Sequence, residues 1–260
     1  MDAILLKLLA TPVLILAASL AGRRWGEAVS GWFVGLPLTS GPVCLFIAIE
    51  QGPRFAAATS LGSLAGAGAE AGFCLVYGIV ARHARWPASL TAASIAYIAG
   101  AVLLGLAELP LWPLLLAVAV ALAAALRLMP TSTAAAVAPH PLPRWDLPAR
   151  MIVASVLVVG LTEAAPHVGP QVSGLLSTYP VFAAVLTAFA HHRRGPAAAI
   201  GVLRGLLIGL FSFAAFFVVL GTAIVSIGIA ASFAAALATA LTIQGASLWL
   251  LGRGWPRVPT

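Results

Sequence analysis

Two charged side chains stand where lipid is expected. Glu70 lies inside the apolar stretch 57–80, and Arg204 lies inside 197–220. A charge at the centre of a membrane helix costs at least ~2.5–3.5 kcal/mol on insertion scales, so such residues carry partners or functions. Glu70 continues a stripe of small residues at four-residue spacing, Ala58, Gly62 and Gly66, and Arg204 adjoins a second stripe, Gly201, Gly205 and Gly209. Small residues at that spacing let helix backbones approach closely in lipid. The glycines therefore read as helix-packing positions, and the stripe points Glu70 at protein rather than lipid. Glu70 precedes Arg82 by 12 residues and Arg204 follows Arg194 by 10. At 1.5 Å per residue both sit roughly 15–18 Å from the same flank. Matched depth predicts an intramembrane pair; the plainer alternative has Arg204 snorkelling to the interface. A carboxyl at this depth is a candidate for proton coupling.

A second constellation is a pair of interruptions. The runs Gly35-Leu36-Pro37-Leu38-Thr39-Ser40-Gly41-Pro42 and Ser177-Thr178-Tyr179-Pro180 open two apolar stretches at corresponding places. Proline inside a helix removes a backbone hydrogen bond and clashes with the carbonyl four residues earlier. Backbone groups freed at membrane depth must be satisfied by neighbours or line a cavity. Paired Pro/Gly interruptions in two halves of a chain point to a transporter's substrate site, with Pro37, Thr39, Ser40, Ser177, Thr178, Tyr179 and Pro180 as its candidate residues. The competing reading is an ordinary kink, or an interfacial helix start capped by Ser or Thr.

Other polar groups are less informative. The neighbours His191 and His192 cannot share one helical face, so they read as a solvated helix end with Arg193 and Arg194. Gln244, deep in an apolar stretch, reads as an interhelical hydrogen bonder. Cys44 and Cys74 lack metal spacing and read as small buried apolar side chains. No phosphate loop, zinc-type His/Cys set or Ser/His/Asp spacing occurs in the sequence. No cofactor, no metal and no enzymatic activity are expected.

What must position these residues is set by composition. The chain has 260 residues, 62% hydrophobic and 8% charged, with a mean hydropathy of +1.06. Ordinary soluble domains carry about 25% charged residues. A water-facing surface cannot be built from so few charges, which excludes a soluble enzyme, a nucleic-acid-binding protein and a disordered tail. The net charge of +7 is explained by arginines in membrane-flanking loops. The fold class is all-α polytopic, with the lipid bilayer as its partner.

A bilayer core takes about 20 apolar residues per helix. Cutting at charges and Pro/Gly clusters predicts nine transmembrane helices: 3–21, 32–50, 57–80, 89–107, 111–129, 150–166, 174–191, 197–220 and 226–250. Glu108-Leu109-Pro110-Leu111-Trp112-Pro113 reads as a tight turn between the fourth and fifth, and Gly221-Thr222 as a weaker break between the last two. The polar, Pro-rich stretch 131–149 is a linker. Eleven basic residues (Arg23, Arg24, Arg82, Arg85, Arg127, Arg144, Arg150, Arg193, Arg194, Arg253 and Arg257) fall on one side of this arrangement. Lys7, Glu50, Arg54, Glu108, Glu163 and His167 fall on the other. The positive-inside rule then puts the N-terminus outside and the C-terminus in the cytoplasm, in the plasma membrane.

The chain also matches itself. At an offset of 143 and without gaps, Val29-Ser30-Gly31 falls on Val172-Ser173-Gly174, Pro37 on Pro180, Phe46 on Phe189, Gly52-Pro53 on Gly195-Pro196 and Ala56 on Ala199. Gly62, Leu64, Gly66, Ala71, Phe73, Val76 and Gly78 continue onto Gly205, Leu207, Gly209, Ala214, Phe216, Val219 and Gly221. These are 15 identities over positions 29–78, where composition alone gives roughly a tenth, the mark of an internal repeat. The offset pairs spans one to four with six to nine. Span one thus has a counterpart within the chain, which argues against its being a cleaved signal. With one connecting helix between them, the second unit is inverted: residues 1–110, then a connecting helix and linker over 111–149, then 150–260. Inverted repeats are a frequent plan of secondary transporters.

The segment from Ser173-Gly174-Leu175-Leu176 through Ser177-Thr178-Tyr179-Pro180-Val181-Phe182-Ala183 to Gly195 resembles the GlpM-type small membrane proteins, four-helix chains with a Gly-Leu…Phe-Pro-x-Phe-Ala motif after the first helix. The first half departs from that motif at the aromatic before proline, having Gly35-Leu36-Pro37-Leu38-Thr39 instead. The resemblance implies a polytopic membrane protein whose halves descend from one fused unit, and it assigns no catalytic residues. The sequence therefore predicts a small secondary transporter or permease for a small-molecule substrate, the rival being a non-transporting scaffold or accessory subunit of a membrane complex.

Overall fold

The computed structural model describes residues 3–38, 40–130, 145–164 and 179–254, with side chains over 11–38, 40–130, 145–160 and 179–248. Among them every regular element is an α-helix: α1 (Ala3–Trp25), α2 (Glu27–Val34), α3 (Ser40–Gln51), α4 (Pro53–Val80), α5 (Trp86–Leu106), α6 (Leu111–Leu128), α7 (Asp146–Ala164), α8 (Val181–Arg194), α9 (Pro196–Ile227) and α10 (Ile229–Gly254). Five stretches are long and apolar enough to cross a membrane: α4, α5, α6, α9 and the Ile229–Leu248 part of α10. The outer helices present large apolar side chains to their surroundings, among them Ile95, Leu103, Leu116, Val156 and Leu241. In water such surface would be an aggregation liability; in a bilayer it is the ordinary outer face of a helical protein.

Local sequence explains the helix starts. Gly52 and Gly195 have φ of 89° and 84°, a region that side chains with a Cβ avoid. Each is followed by a proline at the first helical position, where its missing N–H costs nothing. The chain therefore turns sharply from α3 into α4 and from α8 into α9. Helix starts recur at one separation: Ala3 and Asp146, Pro53 and Pro196, Trp86 and Ile229 are each 143 residues apart.

The centre of the bundle is the α4–α9 pair. Half of the spanning window of α4 and 44% of that of α9 are buried, against 17–22% for α5, α6 and α10. The two are antiparallel. Gly221, late in α9, faces Ser60, early in α4. Arg204, early in α9, reaches the carbonyl of Met129, whose side chain covers Gly78 near the end of α4. The helices α1 and α7 are likewise antiparallel, joined by an Arg23–Asp146 ion pair at one end and sharing the core of Ile15 and Ala154. α6 packs on both α4 and α9.

Three expectations are corrected in detail. The stretch 32–50 is two helices, α2 and α3, because Gly35, Pro37 and the residues between them end one helix before the next begins. The last break falls at Gly228, which takes φ of 82°. Gly221 stays helical, inside α9 and beside Ser60 of α4. The helix predicted over 150–166 begins at Asp146, which lies in the first turn of α7. The tight turn after α5 is present, with Glu108 in the left-handed region. Residues 131–144, most of the expected linker, lie outside the described residues.

Candidate functional site

Glu70 sits in the middle of α4, half-buried, on the face that continues through Phe73 and Tyr77. That face meets the second interruption. The ring of Tyr179 stands edge-on to Phe73 at 6.3 Å and to Tyr97 at 5.6 Å. Its hydroxyl lies 2.8 Å from Ser94 Oγ on α5. Ser94 spends its one hydroxyl proton on the Leu90 carbonyl at 2.8 Å, so Tyr179 is the donor in the shared bond. Two turns along α4, the buried Tyr77 hydroxyl is 3.3 Å from Nδ1 of His191 on α8. Glu70 thus lies one turn along α4 from Phe73, the residue that meets the break at Tyr179 and Pro180.

Arg204 goes elsewhere. One guanidinium nitrogen donates to the Met129 carbonyl at 2.9 Å, while Nε is buried without a hydrogen-bond partner. Glu70 and Arg204 are not among the ion pairs of the described residues. The antiparallel register gives the reason: Arg204 is level with Gly78, eight residues or about 12 Å along α4 from Glu70. Counting from Arg82 and Arg194 assumes that both flanks lie at one depth. The 32-residue α9 instead overhangs the 28-residue α4 at this end.

The first interruption is built differently. α2 lies along α9 with backbone against backbone. A Cβ on Gly205 would overlap the Ala28 carbonyl, and one on Gly31 the Val202 carbonyl. Gly35 and Gly209 face each other directly, and Gly201 meets the stem of Glu27. Gly62, by contrast, is exposed with nothing within 4 Å of a Cβ placed there, while Gly66 is buried. Where α2 ends, the Trp32 carbonyl accepts a hydrogen bond from Gln244 Nε2 at 2.7 Å. Gln244 Oε1 faces the Ser212 hydroxyl, and the Trp32 indole donates to Ser247 at 2.9 Å. Gln244 therefore closes a backbone acceptor that the break leaves open. Ser40 begins α3 half-buried, and Pro37 accepts the Gly41 amide at 2.9 Å. Thr39, Ser177 and Thr178 lie outside the described residues.

The two breaks also meet each other. Phe33, Val34, Leu36 and Leu38 of the first share a small apolar crevice with Leu14 and with Phe182 of α8. Its volume of about 20 Å³ is room for little more than one water.

One end of the bundle carries a charge cluster that sequence reading left as separate loop residues. Asp146 is fully buried and meets Arg150 at 3.1 Å, Arg23 at 3.3 Å and Arg193 at 4.0 Å. Glu27 pairs with Arg194. Burial raises the Glu27 carboxyl above its ordinary range, outweighing the pull of the Arg194 guanidinium. The histidine pair is corrected here: His192 is solvated and stands against Trp86, but His191 is buried, because the helix turns it inward onto Tyr77. The i,i+4 spacing of Asp146 and Arg150 was the one sequence signal for this cluster. Among the described residues no three His, Cys, Asp or Glu side chains converge as a metal site. No protein-family model, curated protein or solved structure matches the chain.

Proposed function

We propose that this protein is a small secondary transporter or permease of the plasma membrane, built from two inverted four-helix repeats of GlpM-type ancestry with α6 between them. In this reading nine spans place the N-terminus outside and the C-terminus in the cytoplasm. The 143-residue self-match and the equal spacing of three pairs of helix starts support the duplication. The antiparallel α4–α9 and α1–α7 pairs are what an axis in the membrane plane would generate.

The observation that carries the transport reading is the placement of the two breaks. Phe73 of α4 meets Tyr179 beside Pro180, and Phe216 of α9, its counterpart at offset 143, lies against Gly41 beside Pro37. Both interruptions thus flank the central pair at equivalent levels, where transporters of this plan hold their substrate. Glu70, one turn from Phe73, is the coupling carboxyl in this reading. Arg204 is a packing and carbonyl-binding residue instead. The crevice between the breaks is closed to solutes in this conformation.

Uptake by the purified protein in liposomes, driven by a pH gradient across a panel of small solutes, tests the reading. Wild type should accumulate at least one solute with the gradient, and Glu70→Gln should abolish the gradient dependence while remaining folded. Absence of gradient-driven uptake by wild type would favour the scaffold, whereas gradient dependence that is unchanged in Glu70→Gln would remove Glu70 as the coupling carboxyl. Single cysteines at positions 54 and 85 should label from opposite sides of the membrane; labelling from one side would end the nine-span arrangement.

A further inference from the structure

The charged end of the bundle holds more positive charge than its own carboxylates neutralise. Arg23, Arg150, Arg193 and Arg194 come together from α1, α7 and α8, and among the described residues two carboxylates, Asp146 and Glu27, face these four. Arg150 is the buried partner of Asp146, but Arg23 and Arg193 keep 35% and 24% of their side-chain surface exposed. Their guanidinium forks are therefore open to a further anion. Arginine presents several donors in a planar fork that matches phosphate oxygens.

The surroundings identify which anion. Arg193 lies 4.8 Å over the ring of Trp145, and the adjacent Arg24 lies 5.4 Å over Trp25. Both tryptophans are more than half exposed. Exposed tryptophan beside arginine at the end of an apolar bundle marks the headgroup level of a bilayer. From this point the paired helices α1 and α7 lead away into apolar surface, with Leu20 and Val13 exposed on one and Ile152 and Val156 on the other. A free phosphate would use only the arginines. A lipid would use the arginines for its headgroup, the indoles at the interface, and the α1–α7 surface for its acyl chains.

We propose that Arg23 and Arg193, with Arg24 beside them, form a docking site for the headgroup of an anionic phospholipid whose acyl chains run along α1 and α7. The site is separate from the one around Glu70 and does not depend on transport. Basic clusters at the cytoplasmic ends of membrane helices bind anionic headgroups through the same electrostatics.

Thermal unfolding of the full-length protein in a neutral detergent, with phosphatidylglycerol, phosphatidylcholine or inorganic phosphate added, tests the proposal. Phosphatidylglycerol should raise Tm in a saturable way, and the other two should not. Each arginine removed should weaken the apparent phosphatidylglycerol affinity by about fivefold, so R23Q/R193Q should lose roughly 25-fold. Arg54→Gln, at the opposite end, should leave it unchanged. The lipid-dependent increment is the readout, so a lower starting Tm of the double variant does not affect it. Should R23Q/R193Q fail to fold, Arg24→Gln, which lies outside the Asp146 cluster, should weaken binding about fivefold. An equal shift with phosphatidylcholine means bulk lipid only, and an equal shift with inorganic phosphate means a free-anion site; either overturns the proposal. Unchanged affinity in R23Q/R193Q, or in Arg24→Gln, overturns it as well.

Discussion

The two interruptions of this chain occupy corresponding places and are held by different means. The first, between α2 and α3, is locked to α9 by glycines that bring backbone onto backbone, and Gln244 caps the carbonyl it leaves open. The second, at Tyr179 and Pro180, is held by ring edges and one hydroxyl, and its partner Phe73 is one turn from Glu70 on α4. Backbone packing fixes a position to within tenths of an ångström, because any added atom collides. Ring and hydroxyl contacts tolerate small displacements and re-form. The first break has the character of an anchor, and the second that of a softer, side-chain contact.

The largest expected effect separates the two glycine stripes. Gly205→Leu drives a side chain into the Ala28 carbonyl and should unseat α2, at a cost of about 3 kcal/mol or more, as overpacking does. Gly62→Leu meets nothing within 4 Å and should change stability by less than about 0.5 kcal/mol, like an ordinary exposed substitution. Thermal unfolding of both variants in detergent gives the comparison. Equal losses would show that α4 and α9 seat their neighbours alike, and the contrast between the breaks would fall.

A smaller effect distinguishes the polar fastenings. Gln244→Leu leaves the Trp32 carbonyl without its partner in an apolar environment, which costs about 1–3 kcal/mol. Tyr179→Phe removes a hydroxyl from Ser94, which keeps its own bond to the Leu90 carbonyl. The loss there should be near the membrane-protein average of about 0.6 kcal/mol. Stability curves for the two variants should therefore be well separated. A Tyr179→Phe loss as large as that of Gln244→Leu would make the second break an anchor too.

Much of this was legible in the residues because it is local. Pro196 after glycine marks the start read at 197, the apolar run of α9 marks a buried span, and Pro37 and Pro180 mark where a helix is interrupted, while the start of α4 at Pro53 lies four residues before the one read at 57. Gln244, as a lone amide in an apolar run, already pointed to an interhelical bond. What could not be read depends on how helix ends meet. The level of Arg204 follows from the overhang of α9, which no count from loop arginines contains. The burial of His191 depends on Tyr77, 114 residues away. The meeting of Arg23 and Arg193 on Asp146 requires three helices to end at one place, and each of those charges alone looks like any loop residue. Long-range register, rather than residue type, was the missing quantity.

The smallest predicted effect concerns the joint between the two regions, where Glu27 at the start of α2 pairs with Arg194 at the end of α8. Burial holds the Glu27 carboxyl above its ordinary value of 4.5 despite that arginine. The folded protein therefore keeps this proton more tightly than the unfolded chain does. Stability is greatest below the unfolded value and declines as pH rises through it toward the folded one, because the unfolded state ionises first. Glu27→Gln removes the titration and should flatten the fall of Tm with pH just above 4.5, while leaving α2 seated by Gly205 and Gly209. If Tm instead climbs with pH over that interval in wild type and the climb vanishes in Glu27→Gln, the ion pair outweighs burial. The anchor of the first break would then extend through Arg194 into α8, and the two breaks would be coupled by charge as well as by position.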